Sequence, residues 1–130
     1  MHDFPMPITA LYAGAFAVFL VVISARVSIL RLRFQAMFGD AGQEGLIRAI
    51  RGQANFIEYV PFALFLMGLV EWQGLKPWVL HTLGGVLIAS RFLHYWGLTS
   101  RKDLGRIVGA GGTWLVLLAV GLFVLYRGIF

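Results

Sequence analysis

Arg48-Ala49-Ile50-Arg51-Gly52-Gln53-Ala54-Asn55-Phe56-Ile57-Glu58-Tyr59-Val60-Pro61 runs without a break into Phe62-Ala63-Leu64-Phe65-Leu66-Met67-Gly68-Leu69-Val70. Arg51, Asn55 and Glu58 stand at i, i+4 and i+7, so a helix carries all three on one face. Tyr59 lies beside them and Arg48 one turn before. The apolar run that follows predicts that this polar face enters a bilayer. Charged groups at that depth are costly, and they pair with one another or face a cavity. A carboxylate one turn inside a membrane helix, preceded by arginines and an amide, marks a candidate site.

Composition sets the class. Hydrophobic residues make up 59% of the 130, and charged residues only 13%, about half the usual share of a soluble domain. Mean hydropathy is +0.81. These values predict an integral membrane protein, all-α, with residues 1–130 as one domain. The net charge is +5, but it gathers in two interhelical stretches. That is a topology signal rather than a nucleic-acid footprint. The chain has no Cys, so any thiol chemistry must use a ligand's thiol. The opening Met1-His2-Asp3-Phe4-Pro5 has no positive n-region and reads as leading into a retained first span.

Four apolar segments are expected to cross the membrane: about Ile8 to Ala25, continuing amphipathically toward Arg33; Gln53 to Trp72; Trp78 to Trp96; and Ile107 to Tyr126. Each approaches the ~20 residues needed to span hydrocarbon, and unpaired backbone groups rule out open strands there. Gly39-Asp40-Ala41-Gly42 marks the first loop. Gln73-Gly74-Leu75-Lys76-Pro77 is a tight turn with Pro77 opening the third helix, and Thr99-Ser100-Arg101-Lys102-Asp103 marks the third loop. In an up-down bundle the first and third loops share a side. That side holds Arg26, Arg31, Arg33, Arg48, Arg51, Arg101, Lys102 and Arg106, against Lys76 and Arg127 opposite. The basic loops are therefore expected in the cytoplasm, with both termini outside. Trp72, Trp78 and Tyr126 suit an outer aromatic belt. Gly105, Gly109 and Gly112 in the fourth helix, with Gly84 and Gly85 in the third, read as close helix packing.

Each polar residue has a plain structural alternative. Arg51, Asn55 and Glu58 could form an internal salt bridge between helices, but two arginines and an amide exceed what one Glu can use. The surplus donors suit an anionic ligand. Arg26, Arg91 and Arg106 could be snorkelling anchors; Arg31 and Arg33 are assigned that role. His94 could be a hydrogen-bonded core histidine. His2 and His81 are near the opposite side, so no metal site is expected. Arg26, Arg51, Asn55, Glu58, His94 and Arg106 nevertheless converge from four helices at one depth.

Arg-x-x-Arg-x-Gln-x-Asn-x-x-Glu-Tyr-x-Pro, from Arg48 to Pro61, resembles the signature of the MAPEG proteins, membrane-associated proteins of eicosanoid and glutathione metabolism. Their members include microsomal glutathione transferases and leukotriene C synthase. Val22-Ile23-Ser24-Ala25-Arg26 and Arg91-Phe92-Leu93-His94-Tyr95-Trp96-Gly97 also resemble that group. The resemblance implies a left-handed-type four-transmembrane-helix bundle assembled as a homotrimer, with glutathione bound at the subunit interfaces. It implies that Arg51, Asn55, Glu58 and Tyr59 hold glutathione, and that the neighbouring subunit contributes Arg26 and Gln53. His94 falls where several relatives place a Tyr, and Leu98 where another ligand-contacting Tyr is common. Arg106 matches the thiol-activating Arg, given a small shift in the loop. The implied activity is conjugation of the glutathione thiolate to a lipophilic electrophile, or peroxide reduction, in a bacterial inner membrane among lipids. Two other classes stay open: a binding protein without chemistry, and a small multidrug transporter. The arginines beside Glu58 would repel the cationic drugs of the latter.

The predicted orientation is open to a direct test. With no native Cys, single cysteines at Gly42 and Lys76 can be probed with an impermeant maleimide in intact cells. The Lys76 position is expected to label from outside and the Gly42 position only after permeabilisation; the reverse pattern inverts the topology.

Overall fold

The computed structural model describes residues 5–130; His2 and the rest of the first four residues lie outside it. Four helices follow one another: α1 (Pro7–Arg33), α2 (Glu44–Trp72), α3 (Pro77–Thr99) and α4 (Asp103–Ile129). Each extends past its apolar run. α2 begins nine residues before Gln53, because the polar turns from Glu44 to Gly52 are helical too, with Glu44 and Arg48 paired one turn apart at 2.9 Å. Apolar runs report where lipid begins, whereas helix ends are set by capping.

Three helices, α1, α2 and α4, are long and apolar enough to cross a membrane. α3 has the length, at 23 residues, or about 35 Å at 1.5 Å per residue. Its apolar content is diluted by His81, Ser90, Arg91 and His94. Of these Ser90, Arg91 and His94 are buried inside the bundle, so lipid does not meet them.

Contacts at the ends fix the up-and-down order. The start of α1 meets the end of α2, where Glu71 accepts from the backbone N–H groups of Ile8 (2.8 Å) and Thr9 (2.7 Å). Tyr12 of α1 donates to the carbonyl of His81 near the start of α3 (3.0 Å). At the far end Arg48 of α2 donates to the carbonyl of Leu98 at the end of α3 (3.0 Å). The Glu71 contact completes the accounting for the first turn of α1. Pro7 has no N–H, Ile8 and Thr9 give theirs to the carboxylate, and Ala10 starts the ladder on Met6. A carboxylate at a helix N-terminus is worth about 0.3–1 kcal/mol, up to ~2 when partly buried.

The other ends follow one pattern. α1, α2 and α3 each close with a left-handed residue, Gln35 (φ 53°), Gly74 (φ 82°) and Arg101 (φ 58°). The next N–H reaches back to the third-last carbonyl of each helix: Ala36 to Arg31, Leu75 to Val70, Lys102 to Gly97. Only Gly74 is a residue type that advertises this geometry. Arg31 and Arg33 both lie in the last turn of α1. Arg31 does more than mark topology, since its guanidinium holds the first loop through the carbonyl of Gly39 (2.6 Å).

The core joins Phe16 and Ile23 of α1, Phe56, Val60 and Met67 of α2, Leu80 and Leu87 of α3, and Val116 and Val120 of α4. Around it Phe19 stacks on Phe92 at 4.7 Å between ring centroids. Most other large apolar side chains of α1 and α4 point outward, as do Trp72, Trp78 and Tyr126. Within lipid, burial of apolar surface gives little drive, and close packing holds helices together.

That packing is tightest between α3 and α4, where the expected glycine stripe lies. A Cβ at Gly109 would meet backbone atoms of Ser90 and His94, and one at Gly97 would meet the backbone of Arg106 and Gly105. Backbone cannot yield as a flexible side chain can. The seam therefore sets Arg106 and His94 side by side. Gly109→Ala is expected to destabilise the bundle by about 1–3 kcal/mol through overpacking. Gly111→Ala, where a Cβ meets nothing within 4 Å, should be neutral or slightly stabilising. Thermal unfolding in detergent compares the two; equal midpoints would mean that the seam tolerates a methyl group.

Candidate functional site

α2 supplies the polar wall of a cleft at the basic-loop end of the bundle. Its successive turns place Glu44, Ile47, Arg48, Arg51 and Asn55 on the cleft; α3 adds His94 and Leu98, and α4 adds Arg106. The cavity is about 350 Å³. Four of the residues expected at a site, Arg51, Asn55, His94 and Arg106, thus meet.

Charge inside the cleft is unbalanced. Arg48, Arg51 and Arg106 line it, against one carboxylate, Glu44. Glu44 is already engaged by Arg48 at 2.9 Å and by Arg101 from the third loop. Arg106 pairs with Asp103 one turn back, at 3.3 Å, an exposed contact worth little. Arg51 is exposed and has no ion pair among the described residues. Neither does Glu58, which is exposed one helical turn beyond Asn55. The helix-to-helix salt bridge that could have explained this face is therefore absent among the described residues. Tyr59 is half-buried beside Glu58.

Beyond Asn55 the same face of α2 becomes apolar, with Phe62 and Phe65 both exposed. Glu58, Phe62 and Phe65 are thus exposed on one face of α2, next to the cleft that Arg51 lines.

Arg26 and Gln53 do not line the cleft. Gln53 is turned toward α1 and donates to Ser24 (2.8 Å). Arg26 is exposed, with its guanidinium 6.0 Å from the centre of the Tyr95 ring. Leu98 lines the cleft with an aliphatic side chain, so no phenol is offered there.

Arg91 is the residue whose place the sequence left open. Its position near a helix end suggested an anchor reaching for the interface. It is instead 1% exposed and bonded to Asn55 Oδ1 (2.7 Å), Thr113 Oγ1 (3.4 Å) and His94 Nδ1 (3.4 Å). The sequence did hold a signal: His94 lies one turn on from both Ser90 and Arg91, which groups three polar residues inside an apolar helix.

Among the described residues no cluster of His, Cys, Asp or Glu could hold a metal ion. What the cleft offers is guanidinium, amide and imidazole groups, a set suited to carboxylates and other anions.

Comparison with known proteins fits this geometry. The model of the MAPEG family matches residues 9–126. Over 111 residues the chain is 39% identical to the inner membrane protein YecN of Escherichia coli K12, covering 85% of either chain. The protein of the same name from E. coli strain CFT073 matches to the same extent. No solved structure matches.

Proposed function

Because the chain belongs to the MAPEG family, we propose that it is a membrane-bound glutathione transferase that conjugates the glutathione thiolate to a lipophilic electrophile. The observation that carries this is the surplus of cationic donors in the cleft, with Glu58 unpaired beyond them. Glutathione has two carboxylates, one ammonium and a thiol. Arg51 and Arg48 suit the carboxylates through charge-assisted hydrogen bonds. Asn55 and His94 add neutral groups from the wall, and Glu58, with Tyr59 beside it just beyond the lining, suits the ammonium.

Arg106 is the proposed catalytic residue. A thiol with a pKa near ~8.5 is mostly protonated at neutral pH, and the thiolate is the nucleophile. A guanidinium beside it in a site shielded from water lowers that pKa by about 1–2 pH units, or ~1.4–2.7 kcal/mol. The thiol proton passes to water. The sulfur then forms a carbon–sulfur bond with an electrophile that arrives through the lipid. With a peroxide as the acceptor, the same thiolate would attack the peroxide oxygen and break the O–O bond, giving the sulfenic acid and releasing the alcohol; a second glutathione would then displace water from that sulfur to give the disulfide.

The functional unit is proposed to be a homotrimer. A neighbouring copy covers the face of α2 that carries Arg51, Glu58, Phe62 and Phe65, which removes the cost of exposing charge to lipid. Arg26 and Gln53, turned away from the cleft of their own copy, would serve a neighbour's. All four helices, α3 included, would then span a bacterial inner membrane, the location that the name of the E. coli relative gives for that protein. The basic loops would face the glutathione-rich cytoplasm.

Calorimetric titration of the detergent-solubilised protein with glutathione tests binding. Glu58→Gln keeps the shape and removes the charge, and should weaken binding about ten- to a hundredfold, the worth of one charge-assisted bond at ~1.5–3 kcal/mol. Arg51→Ala should act in the same direction. Unchanged affinity in folded Glu58→Gln would make that carboxylate structural. Binding without turnover of any electrophile or peroxide would mark a binding protein.

Arg106→Ala should raise the pH at which thiolate absorbance appears and lower turnover, with a smaller change in affinity. Arg106→Lys should recover part of the effect, since a point charge remains without the planar fork. Ultraviolet difference titration of bound glutathione decides: identical profiles in wild type and Arg106→Ala would leave Arg106 as a topology anchor.

A further inference from the structure

Arg91 stands directly behind the cleft. It is 1% exposed and is not among the lining residues, so a ligand in the cleft does not touch it. No carboxylate pairs with it among the described residues, and its Nε finds no hydrogen-bond partner. Yet both side chains it holds on this side, Asn55 and His94, line the cleft.

A guanidinium carries donors only. That fact settles two ambiguities in front of it. The atom of Asn55 that lies 2.7 Å from Arg91 must be the oxygen, so the amide nitrogen and its two N–H groups are turned away from Arg91. His94 Nδ1 lies 3.4 Å from the same nitrogen of Arg91. A ring nitrogen facing a guanidinium can only accept, and a neutral imidazole that accepts at Nδ1 carries its proton on Nε2. Thr113 shows the same polarity. Its hydroxyl donates to the carbonyl of Gly109 (2.9 Å), which leaves its oxygen to accept from Arg91. His94 makes no second hydrogen bond among the described residues, so its Nε2–H is unspent.

We propose that Arg91 is a positioning residue. From behind the wall it fixes the amide of Asn55 and the tautomer of His94, so that both present N–H groups to an anionic ligand in the cleft. For the identity of the ligand this rests on the glutathione assignment; for the tautomer it does not. Arg91 thereby extends the donor surplus of the cleft without contributing a charge to its surface. Simple snorkelling or bulk filling would not select one tautomer.

The test uses the full-length protein labelled with 15N-histidine, in detergent and without ligand. Long-range proton–nitrogen spectra distinguish Nε2–H from Nδ1–H imidazole, and the His94 signals are assigned by their loss in His94→Gln. Wild type is expected to show the Nε2–H tautomer. Arg91→Met, similar in length but without donors, should give a mixture of tautomers and weaken glutathione binding about tenfold. Arg91→Lys keeps the charge and one donor and should restore part of both. An Nδ1–H tautomer in wild type overturns the proposal even where no variant folds. Weakened binding in Arg91→Met with the tautomer unchanged also overturns it, because Arg91 would then act through packing. Should wild type bind no glutathione, the ligand assignment fails while the tautomer spectra still decide the role of Arg91.

Discussion

The bond from Arg91 to Asn55 joins α3 to α2 at the depth where the chain passes from polar to apolar. A guanidinium in the interior of a membrane bundle must find acceptors, because an unsatisfied charge there costs several kcal/mol. Asn55, Thr113 and His94 supply them from three helices. None of the three is anionic, so the positive charge is solvated without being cancelled. Its field extends into the adjoining cleft, where the arginines of α2 and α4 add theirs.

Close packing makes that arrangement possible. The hydroxyl of Thr113 reaches Arg91 across the seam where Gly109 lets α4 lie against the backbone of Ser90 and His94. Gly97 does the same one turn closer to the basic loops, where Arg106 begins its helix. The glycine seam and the cleft are thus one construction. Small residues bring backbones together, and that approach determines which polar side chains share a wall. At the other end of the bundle Glu71 has a separate task. It holds the first turn of α1 against the last turn of α2, and the long α1 is pinned at the end away from the cleft.

The polar face of α2 bears on the proposed assembly. Arg51 and Glu58 are exposed in a single copy, and Phe62 and Phe65 continue the same face. A soluble protein could leave such groups in water, but a membrane protein cannot leave them in hydrocarbon. In the proposed homotrimer a neighbouring copy would cover this face.

The sequence by itself determined the helical class, the positions of the loops and the polar face of α2. These follow from local rules: hydrophobic runs of membrane length, Gly and Pro at breaks, and the 3.6-residue period that groups Arg51 with Asn55 and Glu58. It also located the glycine stripe and placed Pro77 at a helix start. Helix ends were less legible, since Gln35 and Arg101 adopt left-handed conformations that their residue types do not announce. Only the tertiary structure decided the role of Arg91. A one-dimensional pattern records distance from a helix end, but whether an arginine there reaches out to the interface or inward depends on acceptors from other helices. Asn55 and Thr113 are 36 and 22 residues away, and no local rule brings them to Arg91. The same holds for the half-buried Glu71, whose partners lie 63 and 62 residues earlier, because a charged group is satisfied by proximity in space.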